Sequence, residues 1–422
     1  MLDQKLSVGI QEKPQSVGHW IILSLQHVFA MFGATVLVPL LTGLDVGVAL
    51  VASGIGTLIY IASTRGKVPV YLGSSFAYIS TISLAVANTG GFESAYIGLM
   101  VVGLIYMLIA LIIYFVGSAW IKKLLPPVVI GPMIIIIGMT LAPVAVSSTG
   151  LDGSATWKEP LVALVTFLSV VFFSIKGKGF IKIVPFLLAI LVGYVFAMIF
   201  GIVDYSVFSN VKFFQIPNFT IFGLNGYQFD FSQVFVFAPL AFVTIAEHIG
   251  DHVVLGEITG NDFITDPGLN KTLLGDGLAT FVSGAIGGPA NTTYGENTGV
   301  IAITKVGSVW VIGLAAIFAI FLGFFGYIQA FITSIPWAVI GGMTVILYGL
   351  IASNGVKVLI KDHTDLGKMK NLIVVSTMLV LGLGGATIQI SANAALSNMS
   401  LAALVGITLN FFLTLLDKPK QN

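Results

Sequence analysis

Long apolar stretches, broken at short intervals by one or two charges, set the pattern of this 422-residue chain. Apolar tracts run over 20–41, 46–63, 70–86, 94–117, 126–146, 159–175, 181–203, 233–254, 272–287, 293–304, 308–331, 336–352, 371–388 and 394–415. A helix needs about 20 apolar residues to cross a bilayer, so the pattern predicts an all-α polytopic membrane protein with fourteen segments. Two tracts, 70–86 and 293–304, are short or interrupted by polar residues, LGSSFAY at 72–78 and ANTTYGE at 290–296.

Charge changes the picture by orienting these segments. With fourteen spans and a cytoplasmic N-terminus, the Lys and Arg residues at 5, 13, 65, 67, 122, 123, 176, 178, 182, 271, 305, 357, 361, 368, 370, 418 and 420 all fall on the inner side. Only Lys158 and Lys212 fall outside, the asymmetry that the positive-inside rule demands. Both termini are therefore expected in the cytoplasm. Composition agrees: 57% of residues are hydrophobic and 9% charged, with a mean hydropathy of +1.02, against about 25% charged in a soluble domain. The net charge of +1 offers nothing to nucleic acid, and the absence of cysteine excludes disulfides and thiolate metal sites. The first twenty residues lack the short apolar run and small-residue cleavage site of a removable signal peptide. No hydrophilic stretch is long enough for a soluble domain; the longest, 204–232, is mixed and aromatic.

The polar interruptions repeat. Ser74-Ser75-Phe76-Ala77 matches Thr292-Thr293-Tyr294-Gly295, with Pro69 and Pro289 upstream. SLQHVFA (24–30) matches IAEHIGD (245–251), pairing Gln26-His27 with Glu247-His248. Order and spacing agree, 50 residues from Gln26 to Phe76 and 47 from Glu247 to Tyr294. Two sets of seven spans place the second copy upside down, and inverted repeats with paired broken helices are a transporter design. Residues 71–77 and 290–295 are read as extended breaks that pair as two short antiparallel strands, in segments 3 and 10, each followed by a short helix. Irregular backbone at that depth is tolerated only inside protein or along a cavity.

Most acidic residues sit in loops or at span ends, but Glu247, Asp251 and Glu296 do not. Glu247 and Asp251 are four apart, on one helix face. An ionisable group at mid-membrane is costly and marks a functional site, and no Lys or Arg lies inside a span to neutralise these three. His248 and His252 repeat the spacing on a neighbouring face; they read equally as histidines satisfied by neighbours or as substrate contacts. H-x-x-x-H without the Glu of HExxH is a poor metal motif, so no metal and no cofactor is expected. Asp276 reads as a helix N-cap or as a group behind the site, with the cap preferred. Tyr348 reads as packing or contact, Asn297 as a brace for broken backbone, and Gln26 and His27 as supports of the break. Repulsion between buried carboxylates favours keeping a proton among them.

ENTGVIAITK (296–305) resembles the signature of the nucleobase–ascorbate transporter family: an acid or amide, Asn, any residue, Gly, four residues, Thr, then a basic residue. NTTYGEN, AEHIG, FAMFGATVLVP (29–39) and YLGSSFAYIS (71–80) are similar to the bacterial uracil permeases within it. The resemblance spans essentially the whole chain. It implies fourteen helices in a 7+7 inverted repeat, with core regions 1–122 and 228–331 (segments 1–4 and 8–11) and gate regions 123–227 and 332–422 (segments 5–7 and 12–14). It implies proton-coupled import of uracil across the bacterial cytoplasmic membrane, by a homodimer in membrane lipid. Carried over by position, substrate would meet the side chains of Glu247 and Glu296, backbone at Phe76, Tyr294 and Gly295, and packing from Ala34 and Tyr348. Glu247, Asp251 and Glu296 would couple protons, with Gln26, His27, Asn297 and His248 in support. Some uracil permeases carry His where this chain has Asp251, so the role of that group does not transfer directly.

Other functions compete. A xanthine or purine symporter of the same family shares the architecture, although the family often has Gln where Glu296 stands. Sodium could replace the proton. An anion exchanger would meet three repelling acids, a channel gives no reason for an acidic pocket shaped to a base, and an intramembrane enzyme would alter its substrate chemically.

Overall fold

The computed structural model describes residues 6–89, 91–224, 227, 232–391 and 394–416; Lys5, Lys418 and Lys420 of the charge pattern, and part of the 204–232 stretch, lie outside them. In chain order come α1 (Val17–Thr42), α2 (Val46–Ser63), β1 (Leu72–Ser74), a 3-10 turn (Phe76–Tyr78) leading into α3 (Ile79–Thr89), and α4 (Glu93–Val116). Then follow α5 (Ala119–Leu124), α6 (Pro127–Thr140), α7 (Ala142–Thr149), α8 (Lys158–Lys176), α9 (Phe180–Ile183) and α10 (Pro185–Phe200). The order begins again with α11 (Ser232–Thr259), α12 (Leu269–Ala285), β2 (Asn291–Thr293), α13 (Gly295–Thr304) and α14 (Val309–Gly323). The chain closes with α15 (Gly326–Thr333), α16 (Trp337–Lys361), α17 (Met369–Leu383), β3 (Thr387–Ser391), β4 (Ala394–Ser397) and α18 (Asn398–Leu416).

Local chemistry sets the boundaries. The Ser16 hydroxyl accepts from His19 N to cap α1, whose far end is closed by Gly43 at φ 81°, a left-handed conformation that glycine adopts without strain. Asp45 then caps α2 by accepting from Val48 N at 2.9 Å. Pro127 occupies the first position of α6 and Pro336 caps α16, placements where proline loses no helical hydrogen bond. Among the described residues, eight helices are long and apolar enough to cross a membrane, and shorter apolar helices cover 76–89, 185–199, 309–323 and 369–383.

Helices of the first and second halves interleave. α12 packs on α4 and α2, and α14 on α2 and α1. α16 packs on α6, α7 and α8, while α17 packs on α18 and α6. Small residues allow the close crossings: a Cβ on Gly277 would lie 2.7 Å from Tyr106 Cβ and 2.9 Å from the Gly103 carbonyl, so α12 and α4 meet nearly backbone to backbone. This is how membrane helices gain packing where lipid and protein are equally apolar.

The two predicted breaks do pair. β1 and β2 run antiparallel with Leu72 opposite Thr293, Gly73 opposite Thr292 and Ser74 opposite Asn291. The pairing continues beyond the strands: Ser75 N donates to Ala290 O at 2.9 Å and Tyr294 N to Tyr71 O at 3.1 Å. Two expectations need correcting. Asp276 does not cap a helix; it lies inside α12, completely buried. The tract 371–388 does not stay helical to its end: α17 stops at Leu383, Gly385 turns at φ 73°, and β3 and β4 form a second antiparallel hairpin. The Gly384-Gly385 break followed by alternating Thr387-Ile388-Gln389-Ile390 is the signal for it.

Candidate functional site

The crossed strands hold the first layer of the site. Each break hands over to a helix that starts inside the protein, at Phe76 and at Gly295. The first amides of a helix have no partner within it, and no side chain caps the N-terminus of α13. Its first internal bond is Thr298 N to Tyr294 O at 3.1 Å. Tyr294 is locked between α1 and β1: its hydroxyl donates to Ser74 O at 3.0 Å and accepts from Thr35 Oγ1 at 3.2 Å. Ser74 Oγ in turn donates to Thr35 O at 3.1 Å. Thr35, absent from the sequence-based list, thus ties α1 beside Ala34 to both strands; the only hint was its place next to the Gly33-Ala34 pair.

The acids of the second half converge on this junction. Glu247 and Asp251 lie one turn apart on α11, and Glu296 opens α13; all three are half-buried, and Gly295 beside them is exposed. Thr293 Oγ1 donates to Asp251 Oδ2 at 2.5 Å, so strand β2 holds the Asp251 carboxylate. Glu247 is within electrostatic reach of Asp251, Asp276 and Glu296, and Asp251 within reach of Glu296 and Asp276. Asn297 ties α13 to α1, its amide nitrogen lying 3.1 Å from His27 Nδ1 and donating to His27 O at 3.1 Å. Gln26 Oε1 has no partner among the described residues. Phe76 meets Tyr348 edge to face, with ring centroids 6.3 Å apart at 75°, and Ala34 is buried on the α1 side of the same junction. The sequence-predicted site residues lie on α1, the 3-10 turn after β1, α11, α13 and α16, with Tyr294 at the junction of β2 and α13.

Behind α11 lies a second polar layer. His248 Nδ1 pairs with Asp276 Oδ2 at 2.8 Å, with both side chains completely buried. His252 Nδ1 donates to the His248 carbonyl at 2.6 Å, which leaves Nε2 of a neutral ring to accept from the Tyr60 hydroxyl. His252 is thus satisfied by neighbours on α2 and α11, while His248 is held to α12 through Nδ1 alone. Even with His248 Nε2 and Asp276 Oδ1 unpaired among the described residues, these bonds tie α11 to α2 and α12 and so limit its rotation, and with it the direction of Glu247 and Asp251. Tyr60 went unrecognised as a member, and for Asp276 the cap was preferred over a group behind the site, because their partners are remote in sequence.

Two cavities flank the junction along α1. One, about 160 Å³, is lined by Phe29 and Gly33 of α1, by Glu296, Gly299 and Ile303 of α13, and by Lys182 at the α9–α10 corner. The other, about 620 Å³, begins at Pro39 and Leu40 of α1, toward the opposite end of the helix. Between them an apolar layer including Leu37, Val38, Ile340 and Leu347 packs against Phe76.

The profile of the Permease family matches residues 18–391. The chain is 47% identical over 409 residues to the uracil permease of Bacillus caldolyticus, covering 96% of this chain and 94% of that one. It is 46% identical over 421 residues to the uracil permease of Bacillus subtilis, covering 98% and 96%. To the uracil permease of Escherichia coli K12 it is 41% identical over 415 residues, covering 97% and 95%. Among solved structures it resembles the transmembrane domain of the cyanobacterial bicarbonate transporter BicA, with a TM-score of 0.64 at 17% identity over 95% of this chain and 98% of that one. It also resembles the murine Solute Carrier 26 family member A9 anion transporter, in its inward-facing state, with a TM-score of 0.71 at 11% identity over 97% and 70%. At such identities these two likenesses concern the fold.

Proposed function

Because this chain belongs to the Permease family of membrane transporters, we propose that it imports uracil across the bacterial cytoplasmic membrane in symport with protons. The observation that carries this reading is the convergence of uncapped helix amides at Gly295 with half-buried carboxylates at Glu247 and Glu296. Uracil is small, flat and neutral, with two N–H donors and two carbonyl acceptors. The carboxylates accept from its N–H groups while the backbone amides of Phe76 and Gly295 donate to its carbonyls; the Tyr294 amide is already donated to Tyr71 O. Ala34, Phe76 and Tyr348 bound the ring. A site built this way rejects analogues that leave a buried polar group unpaired, and the uracil permease names of relatives at 41–47% identity support the same substrate.

In this reading the fold is a fourteen-span 7+7 inverted repeat with both termini in the cytoplasm. Regions 1–122 and 228–331 form a core that moves against a gate of 123–227 and 332–422, and two copies associate as a homodimer in lipid. Asp251, with Glu247 and Glu296, takes up and releases the coupled proton, while Gln26, His27, Asn297 and His248 hold the frame. The side of the membrane follows from the Lys and Arg pattern, with Lys182 and Lys305 inside.

Proteoliposomes given radiolabelled uracil and an imposed pH gradient test the reading. Accumulation that collapses with the gradient, and is competed by unlabelled uracil before xanthine, is the expected result. Accumulation driven by a sodium gradient alone overturns proton coupling, and preferential competition by xanthine reassigns the site to purines.

A further inference from the structure

The cavity of about 620 Å³ lies on the opposite side of the crossing from Lys182 and Glu296. Its floor at Pro39 is five residues beyond Ala34 on α1, a rise of about 7.5 Å. An open apolar cleft is the ordinary expectation between two packed helical bodies in lipid. Here polar side chains stand among the apolar lining of Leu40, Leu44, Val207, Val211 and Ile335: Asp45, Gln215, Asn218, Gln329 and Thr333 line the space, with Trp337 beside them.

The chamber is built from ordered chain. The loop carrying Gln215 and Asn218 is pinned at both ends of that stretch. Gln215 N donates to Phe324 O at 2.8 Å, and Gly326 N donates to Phe213 O at 3.2 Å. Further along, Asp45 Oδ2 accepts from Asn218 Nδ2 at 2.9 Å and from Asn218 N at 3.2 Å. Asp45 also caps α2, so one carboxylate joins the loop to the α1–α2 corner. Trp337, the first residue of α16, leaves 51% of its surface uncovered. The Gln215 amide offers a carbonyl and an NH₂ side by side, the complement of a ring with adjacent C=O and N–H groups, and Gln329, whose Nε2 already donates to Gly323 O, offers its carbonyl to a ring N–H. An indole face supplies stacking for a flat ring, and below lies the apolar layer of Leu37, Val38, Ile340 and Leu347.

We propose that this chamber is a separate docking site for a planar, uncharged heterocycle with adjacent carbonyl and N–H groups, which stacks on Trp337 and hydrogen-bonds to Gln215 and Gln329 before it reaches the crossing. The proposal rests on the transport reading and extends it. The docking site holds its ligand weakly, because it lacks carboxylates free to accept and is open to water, and it serves to load the deeper site while the apolar layer is closed.

The cysteine-free chain permits a direct test. Thr333→Cys, exposed in the chamber, is reacted with a membrane-impermeant thiol reagent in right-side-out vesicles, with increasing uracil. The same measurement is made with Glu247→Gln added, to weaken the deep site, and with Trp337→Ala or Trp337→Phe added. Uracil should slow labelling about threefold or more, at concentrations well above those that saturate the deep site. That protection should persist with Glu247→Gln, vanish with Trp337→Ala and survive with Trp337→Phe. Protection that disappears with Glu247→Gln belongs to the deep site and overturns the proposal, as does unprotected labelling in a protein that transports uracil. If the Thr333→Cys protein and its parent neither bind nor carry uracil, the transport reading fails, and the docking site with it.

Discussion

The two breaks in the chain have the same backbone and different chemistry. Both enter the crossing as a three-residue strand, pair with each other, and leave as a short helix. Yet the first passes Ser74, Ser75, Phe76, Ala77 and Tyr78, while the second passes Thr292, Thr293, Tyr294, Gly295 and Glu296. The helices beside them differ likewise: Gln26 and Ala30 on α1 correspond to Glu247 and Asp251 on α11. Every buried acid of the crossing therefore belongs to the second half. The first half supplies shape: Thr35 and Ser74 hold Tyr294, and Phe76 meets Tyr348. A repeat duplicates geometry for both halves at once, but charge at mid-membrane is costly, so one set of carboxylates suits a single small neutral substrate better than two.

The strongest way to break this asymmetry is to neutralise its acidic side. Glu247→Gln puts an amide donor opposite a substrate donor in one orientation and should weaken uracil binding by roughly 1.5–3 kcal/mol, the worth of a charged hydrogen bond. Gln26→Ala, the equivalent position in the first half, should change binding far less. Calorimetric titration of purified variants measures both, and equal losses would mean that the halves do not divide the work as described.

On the shape side, Gly73 is the sensitive position. A Cβ there would lie 2.7 Å from the Tyr294 hydroxyl, and that ring cannot retreat because Thr35 and Ser74 hold it. Gly73→Ala should cost about 1–3 kcal/mol of stability, as overpacking does, and should lower uracil affinity without altering any charge. A thermal unfolding curve identical to that of the parent would show that the crossing is looser than its hydrogen bonds imply.

These two positions also mark what could be read in advance. The crossing was legible because Gly, Ser, Thr and Asn interrupt apolar tracts twice, in matched order, and because polar backbone at that depth needs a partner. The acids were legible because no cation lies inside the spans. Asp276 was not: flanked by glycines in LLGDGLATF it reads as a helix start, and only His248, 28 residues away in sequence, explains its burial. The same holds for Tyr60 and His252, whose contact is made by two helices that are distant in the chain. Periodicity reports which face is polar, not which remote group satisfies it. The β3–β4 hairpin escaped because apolar content alone was followed past Gly384, where the period had already changed from helix to strand.

A smaller effect separates binding from coupling within the acidic half. In Asp251→Asn the amide oxygen still accepts from Thr293 Oγ1, so strand β2 keeps its tie to α11. What is lost is a group that can gain and release a proton. Exchange of labelled for unlabelled uracil across the membrane should continue at a reduced rate, while accumulation driven by a pH gradient should fall toward equilibrium. Full accumulation in Asp251→Asn would remove this residue from the proton path and leave Glu247 and Glu296 to carry it.

The mildest change concerns the boundary between shape and contact. The Tyr348 hydroxyl is buried and has no partner among the described residues, an arrangement that costs about 1–3 kcal/mol for a polar group. Tyr348→Phe keeps the ring against Phe76 and removes only that oxygen. If the hydroxyl is there to meet uracil, the variant should unfold at a slightly higher temperature while binding uracil more weakly, by roughly 0.5–1.5 kcal/mol, the net value of one neutral hydrogen bond. The two readouts then move in opposite directions, which loss of packing cannot produce. A variant that gains stability and binds uracil as the parent does would place Tyr348 wholly on the side of shape, and would leave substrate recognition to the acids and free amides of the second half.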